Sequence, residues 1–259
     1  MTDMPREESL KLLLRALRLP AFLDQWQDIA TTAEKGGWSF GQYLHHLAEI
    51  EHQGRRSRRV ERDLKASQLP STKTLGTLKL DLLPDKVRRA LPRLCQGGFT
   101  DRGDNLLVFG LPGRGKSHLV CAIGHELVRS GRRVLFTSTN HLVQRLLAAK
   151  RELHLEKALK HLDGFDAVIL DDLGYVQQDR AEMEVLFALL AERYERRSVI
   201  ITSNLVFSQW DQIFKDPMTT AAAIDRLVHH SVILEMSNES VRGQEARHRQ
   251  SAPSDTETT

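Results

Sequence analysis

LLVF-GLPGRGKS-H, residues 106–118, is the stretch on which the fold turns. Gly110, Gly115, Lys116 and Ser117 fill every fixed position of the G-x-x-x-x-G-K-[ST] phosphate-binding loop. Ahead of them, Leu106, Leu107, Val108 and Phe109 form a short apolar run suited to a buried strand. Behind them, Leu119, Ala122, Ile123, Leu127 and Val128 recur at helical spacing. Strand, glycine-rich turn and helix, in that order, aim backbone N–H groups and a helix N-terminus at one phosphate. The segment Gly110, Leu111, Pro112, Gly113, Arg114, Gly115, Lys116, Ser117 and His118 is therefore expected to cradle a nucleoside triphosphate, with Lys116 on the phosphates and Ser117 on a Mg²⁺ ion.

Further strands are expected at Arg133–Thr137, Ala167–Leu170, Val199–Thr202 and Val232–Glu235, with helical patterns between them, such as Ala181–Arg193. Strands alternating with helices indicate an α/β fold with a parallel sheet covered on both faces, its function at the carboxyl ends of the strands. The run AVILDD places two carboxylates at such an end. Asp171 is expected to hold Mg²⁺ with Ser117, and Asp172 to orient or deprotonate the attacking water. A whole strand-and-helix unit separates this run from the loop, so another strand must lie between the two. Val199–Thr202 is the candidate, and Asn204 at its end would reach between γ-phosphate and water. Phe207, Trp210, Ile213 and Phe214 read as core. His229 and His230 lack further ligands at metal spacing and read as structural.

The first part of the chain has another character. Leu10, Leu13, Leu14 and Leu17 mark one amphipathic helix, and Phe22, Trp26, Ile29, Ala30 and Ala33 a second. A third starts at Ser39 with Gln42 as its capping box. Further along the third helix, Arg55, Arg58, Arg59, Arg62 and Lys65 form a basic stripe, offset only by Glu61 and Asp63. One reading is a solvated face with local ion pairs. The sharper one is contact with DNA phosphates, since an uncompensated row of like charges costs stability. Five phosphate contacts would give a salt slope of about −4 to −5. The expected divisions are a helical interaction domain at 1–70, a proline-containing linker and lead-in at 71–100, the nucleotide domain at 101–243 and a polar tail at 244–259.

Composition is that of an ordinary globular chain, 41% hydrophobic and 27% charged over 259 residues, and a net charge of +3 is too small by itself to imply nucleic acid. No apolar run is long enough to cross a membrane and no signal region opens the chain, so a cytoplasmic location is expected. Cys95 and Cys121 read as buried thiols.

The succession GLPGRGKSH, AVILDDLG, VIITSN, AIDRLVHHS and NESVR resembles the AAA+ ATPases called IstB, which assist transposition of bacterial insertion sequences. It is also similar to the helicase loader DnaC. The resemblance implies a five-stranded parallel sheet of order 5-1-4-3-2 beside a small all-α N-terminal domain. It makes Asn204 the sensor 1 residue, Arg226 the arginine finger and Arg242 the sensor 2 arginine. A finger acting in trans entails a homo-oligomer. Only seventeen residues follow Arg242, so the C-terminal lid is absent or truncated, as in that group, and Asp172 stands where many AAA+ ATPases carry Glu, which suits slow hydrolysis. The function expected is an ATP-dependent, Mg²⁺-dependent ATPase that oligomerises on double-stranded DNA, largely without sequence preference, and assists a cognate transposase. A DnaC-like helicase loader is the alternative. A small-molecule kinase fits less well, because an acceptor motif is missing and the arginine stripe is superfluous.

Overall fold

The computed structural model describes residues 6–174, 180–205, 209, 210, 224, 225 and 227–237. Arg226 and Arg242, like Phe207, Ile213 and Phe214, lie outside the described residues. Contacts divide the chain into two compact units, Met1–Arg62 and Asp63–Thr259, and the division falls inside the third helix, ahead of the proline-containing stretch.

The first unit contains α1 (Arg6–Ala16), α2 (Pro20–Gly36) and most of α3 (Phe40–Ser67). Leu14, Ile29, Ala33 and Leu47 are its buried apolar residues among those described. Pro20 opens α2, where its missing N–H costs nothing. Gly37 ends α2 in the left-handed conformation at φ 63°, and the Gly37 and Trp38 amides close on the Glu34 and Ala33 carbonyls. The capping box at the start of α3 forms as expected: Ser39 N–H donates to Gln42 Oε1 at 2.7 Å and Gln42 N–H to Ser39 Oγ at 3.3 Å.

Glu51 is the polar centre of this unit. Its buried carboxylate accepts the Ala21 amide at 2.8 Å, capping the N-terminus of α2. It also accepts Arg55 Nε at 2.8 Å and lies 3.5 Å from Arg58 Nη2, while Arg55 Nη2 reaches the Arg18 carbonyl at 2.7 Å. The basic stripe is therefore offset by Glu51 as well as by the Glu61 and Asp63 named above. All five stripe side chains are exposed. Burial pushes the Glu51 carboxyl up, but the Arg55 and Ala21 hydrogen bonds and the nearby guanidinium charges outweigh it and leave the carboxyl below its ordinary 4.5. A lowered folded value means that this contribution to stability is complete above the ordinary value and is lost as pH falls through the folded one. Glu51→Gln should therefore destabilise the helical unit at neutral pH and flatten its acid limb below about pH 4.5 in circular-dichroism melts.

The second unit continues through two 3-10 turns, Leu75–Thr77 and Leu80–Leu82, to α4 (Asp85–Gln96) and α5 (Gly98–Asp101), then β1 (Asn105–Phe109) and α6 (Lys116–Arg129). There follow β2 (Val134–Ser138), α7 (Thr139–Arg151), α8 (Leu155–Asp163), β3 (Ala167–Leu173), α9 (Arg180–Arg193), β4 (Ser198–Ser203) and β5 (Ser231–Glu235). All pairings are parallel and the order is β2-β3-β4-β1-β5, the order expected. Residues of alternate parity feed the two sides. Leu107, Phe109, Val168, Leu170 and Ile201 pack with α7 and α9, whereas Leu106, Val108, Ile169 and Ile200 pack with α4 and α6. Trp210 joins the first of these cores fully buried, its indole N–H on the Leu205 carbonyl at 3.0 Å. Burial pushes the Cys95 and Cys121 thiols up to about 11 and about 12, so neither is a nucleophile at neutral pH.

The amino ends of the strands are bolted together. Arg193, 1% exposed at the end of α9, donates to the carbonyls of Leu162 at 2.8 Å, Phe165 at 2.9 Å and Ser198 at 3.0 Å. Desolvation lowers its pKa to about 10, which leaves it charged at neutral pH. Asn105 performs a similar service, receiving the Val199 amide at 2.9 Å and donating to the Leu227 carbonyl at 3.3 Å. Arg193→Met would strand the three carbonyls and should cost about 3 kcal/mol or more in chemical denaturation. Arg193→Lys keeps the charge but not the fork and should fare little better.

Candidate functional site

Register at the carboxyl ends of the strands sets out the site. Phe109 and Leu173 both pair with Ser203, so the phosphate-binding loop, Asn204 and the end of β3 succeed one another across β1, β4 and β3. Gly110 N–H donates to the Ser203 carbonyl at 3.2 Å, and Met236 N–H to the Phe109 carbonyl at 2.7 Å, which fastens the loop entrance to both neighbouring strands. Gly110 adopts φ 152°, and a Cβ there would lie 2.7 Å from Met236 O and 2.8 Å from Met236 Cβ. The first glycine of the motif is thus needed for close approach of backbone as well as for its dihedral angle.

Within the loop, Gly113 and Gly115 hold φ 80° and 84°, and Gly115 is the N-cap of α6. Buried Lys116 turns its ammonium across the loop, 2.6 Å from the Gly110 carbonyl and 3.1 Å from that of Leu111. Arg114 Nη1 donates to the Ser237 carbonyl at 2.7 Å. His118 Nε2 lies 3.1 Å from Thr77 Oγ1 and 3.2 Å from the Thr74 carbonyl, so this side chain is engaged with the lead-in turn, whereas Leu111 and Pro112 are exposed.

The acidic pair is built on an irregularity. Pairing of β3 with β4 is regular to Leu170, shifts, and resumes at Leu173, so Asp171 and Asp172 form a bulge. Asp172 carries it at φ 59°, a left-handed conformation that Asp tolerates better than most residues, and its side chain is exposed. Asp171 remains 8% exposed. Thr202, fully buried on β4, spans the bulge. Its hydroxyl donates to Asp171 Oδ1 at 2.6 Å and accepts the Asp172 amide at 2.9 Å. The Asp171 carbonyl receives Thr139 Oγ1 at 3.0 Å. Ser203 Oγ donates to the Leu173 carbonyl at 2.8 Å, closing the far side.

Asn204 follows directly, and its Oδ1 is buried with no hydrogen-bond partner. Such an atom costs about 1–3 kcal/mol unless something hydrogen-bonds to it. The donor set therefore fits a Mg²⁺-nucleotide. A glycine loop opens a helix, one buried and one exposed carboxylate stand on the next strand but one, and an unsatisfied amide lies between them. The chemistry-bearing residues Lys116, Ser117, Asp171, Asp172 and Asn204 all belong to this end of the sheet. Thr202, Thr139 and Ser203 were not anticipated as parts of it. The signal was the hydroxyl residues closing β4 and following β2, in VIITS and TSTN.

This loop and acidic strand, with a third strand inserted between them, define an ATP-binding protein of the AAA+ fold. A family model described as IstB-like ATP binding protein matches residues 12–250, and the chain belongs to that family. A relative in Sinorhizobium fredii, named as an insertion sequence ATP-binding protein, is 46% identical over 248 residues, covering 94% of this chain and 83% of its own. The protein named as the insertion sequence IS21 ATP-binding protein of Pseudomonas aeruginosa is 35% identical over 238 residues, covering 92% and 90%. Among solved structures, AMPPCP-bound DnaA from Aquifex aeolicus shares the fold with a TM-score of 0.54 at 18% identity over 70% of this chain, which spans only 56% of that one. DnaI does so with a TM-score of 0.55 at 20% identity, over 65% of this chain and 94% of its own.

Gly110→Ala should push Met236 away and distort the loop entrance. The expected outcome is loss of binding of a fluorescent ATP analogue together with a lowered melting temperature, whereas Lys116→Ala should lose binding alone.

Proposed function

We propose that this chain is a Mg²⁺-dependent ATPase that assembles on double-stranded DNA and assists the transposase of an insertion sequence, in the cytoplasm. The observation that carries hydrolysis, beyond nucleotide binding, is the Thr202 hydroxyl placed between Asp171 and the Asp172 amide. It holds one carboxylate still and buried while the bulge presents the other to solvent. Two adjacent carboxylates thereby acquire different environments and different tasks. Asp171, with Ser117, would hold Mg²⁺, which when bound neutralises charge on the phosphates. Lys116 would leave its two loop carbonyls for phosphate oxygens. Asp172 would accept a proton from the attacking water, and Asn204 would orient that water with its unsatisfied amide. Arg226 and Arg242 keep the roles that the resemblance implies, the first completing a neighbouring subunit's site, so that nucleotide state would govern assembly.

DNA and transposase are inferred from the insertion-sequence names of the relatives and from the exposed basic face of α3. A helicase loader remains the second reading, favoured only by the likeness to DnaI. A pull-down of the purified chain with transposase and with replicative helicase, DNA absent, distinguishes them, since retention by helicase alone would replace the first reading with the second.

Asp172→Asn should retain ATP binding, abolish phosphate release and prolong the life of DNA complexes; unchanged turnover would remove Asp172 from the reaction. Thr202→Val should leave nucleotide binding close to parental, lower turnover about 10- to 100-fold and raise the Mg²⁺ concentration needed for half-maximal rate, with Thr202→Ser restoring much of both. Replacing Arg59, Arg62 and Lys65 together by Ala should flatten the plot of log DNA affinity against log salt by about 3. An unaltered slope would make the stripe a solvated surface.

A further inference from the structure

His229 and His230 read as structural in the sequence because further ligands at metal spacing are lacking. Folding supplies one. Glu195 sits in the turn after α9, and its Oε1 lies 3.5 Å from His230 Nε2 and 4.0 Å from His229 Nδ1. One ligand atom from each of the three residues falls within 4.8 Å of the others. Donors around a tetrahedral zinc ion, bonded at about 2.0–2.1 Å, stand about 3.3–3.4 Å apart, so small rotations of exposed side chains would close the set on one ion.

Their backbones are already held. The His230 carbonyl accepts the Asn105 amide at 2.7 Å, and His229 N–H donates to the Asp225 carbonyl at 3.0 Å. Glu195 adopts the left-handed φ of 56°, with its backbone packed so closely on Gly103 that a Cβ there would lie 3.1 Å from Glu195 C. The two imidazoles lie with ring centres 4.2 Å apart, and the Tyr194 hydroxyl, 2.9 Å from His229 Nδ1, would give up that nitrogen to the ion and could bond a metal-bound water instead. Neighbouring Arg196 is committed to Asp163 and Glu192, which leaves the Glu195 carboxylate facing imidazoles.

We propose that Glu195, His229 and His230 form a surface site for a divalent transition metal of the zinc class, with water completing its coordination. Two imidazoles and one carboxylate suit Zn²⁺, Ni²⁺ or Cu²⁺ and are a poor set for Mg²⁺, so this site is chemically separate from the nucleotide site. An ion there adds to the Tyr194–His229 contact a second link between the turn before β4 and the turn before β5.

The test uses the full chain without a polyhistidine tag, stripped with chelator and titrated with Co²⁺ and then Zn²⁺, nucleotide and Mg²⁺ being absent. The expected result is one saturable equivalent, a Co²⁺ absorption spectrum displaced by Zn²⁺, and a Zn²⁺-induced rise in melting temperature. His230→Ala and Glu195→Gln should each weaken binding at least ten-fold and remove that rise, while the exposed His154→Ala should change neither. No saturable uptake, or uptake that both site variants retain, overturns the proposal. Because the measurement needs no ATP, its failure would leave the ATPase reading untouched, and failure of that reading would leave the metal site standing.

Discussion

One hydroxyl, that of Thr202, holds the acidic bulge together at the carboxyl edge of the sheet. It can do so because β4 is inserted between the strand that feeds the phosphate-binding loop and the strand that carries the carboxylates. With those two strands adjacent, the loop and Asp171 would crowd one another and nothing could be placed between them. With β4 interposed, the two are held apart by two strand spacings of about 4.8 Å each, and the end of β4 lies between them. The bulge in β3 then separates two residues that are neighbours in sequence into one buried and one exposed carboxylate. Topology separates the loop from the acidic strand, and a single side chain holds the two carboxylates in different environments.

The two ends of the sheet meet opposite demands. At the amino ends, Arg193 and Asn105 satisfy carbonyls and amides that would otherwise be orphaned, and polar groups there are spent on rigidity. At the carboxyl ends, Asn204 keeps a buried oxygen unsatisfied and Asp172 keeps a left-handed backbone. Both are local costs that a well-anchored framework can sustain.

Much of this was legible beforehand. The phosphate-binding loop, AVILDD and the five strands could be read because each depends on local patterns: fixed glycines, apolar runs and turn residues. The capping box at Ser39 and Gln42 was equally local. Even the insertion of a strand between β1 and β3 followed from spacing. What escaped depends on residues far apart in the chain. Glu51 looked like one more acid on a helix until folding brought the Ala21 amide to it. Arg193 looked like an ordinary basic residue at a helix end, although it is almost wholly buried. Thr202 was one β-branched residue among several in VIITS, and no pattern in one dimension says which hydroxyl will face a carboxylate on the next strand. The histidine pair lacked a partner only because Glu195 lies on the far side of β4 in the chain.

The clamp around Glu51 has a consequence for the face on which it lies. Arg55 and Arg58 already have a carboxylate for company, so a phosphate arriving at either must displace one anion to install another. That is an exchange and not an addition, and its electrostatic gain is correspondingly small. The same carboxylate caps the first turn of α2. A polyanion that drew the arginines away would loosen their hold on Glu51 but leave its bond to the Ala21 amide, so the helical unit would trade one of its internal fasteners for an external one. Occupancy of that face and the cohesion of the three helices behind it are then two aspects of a single equilibrium.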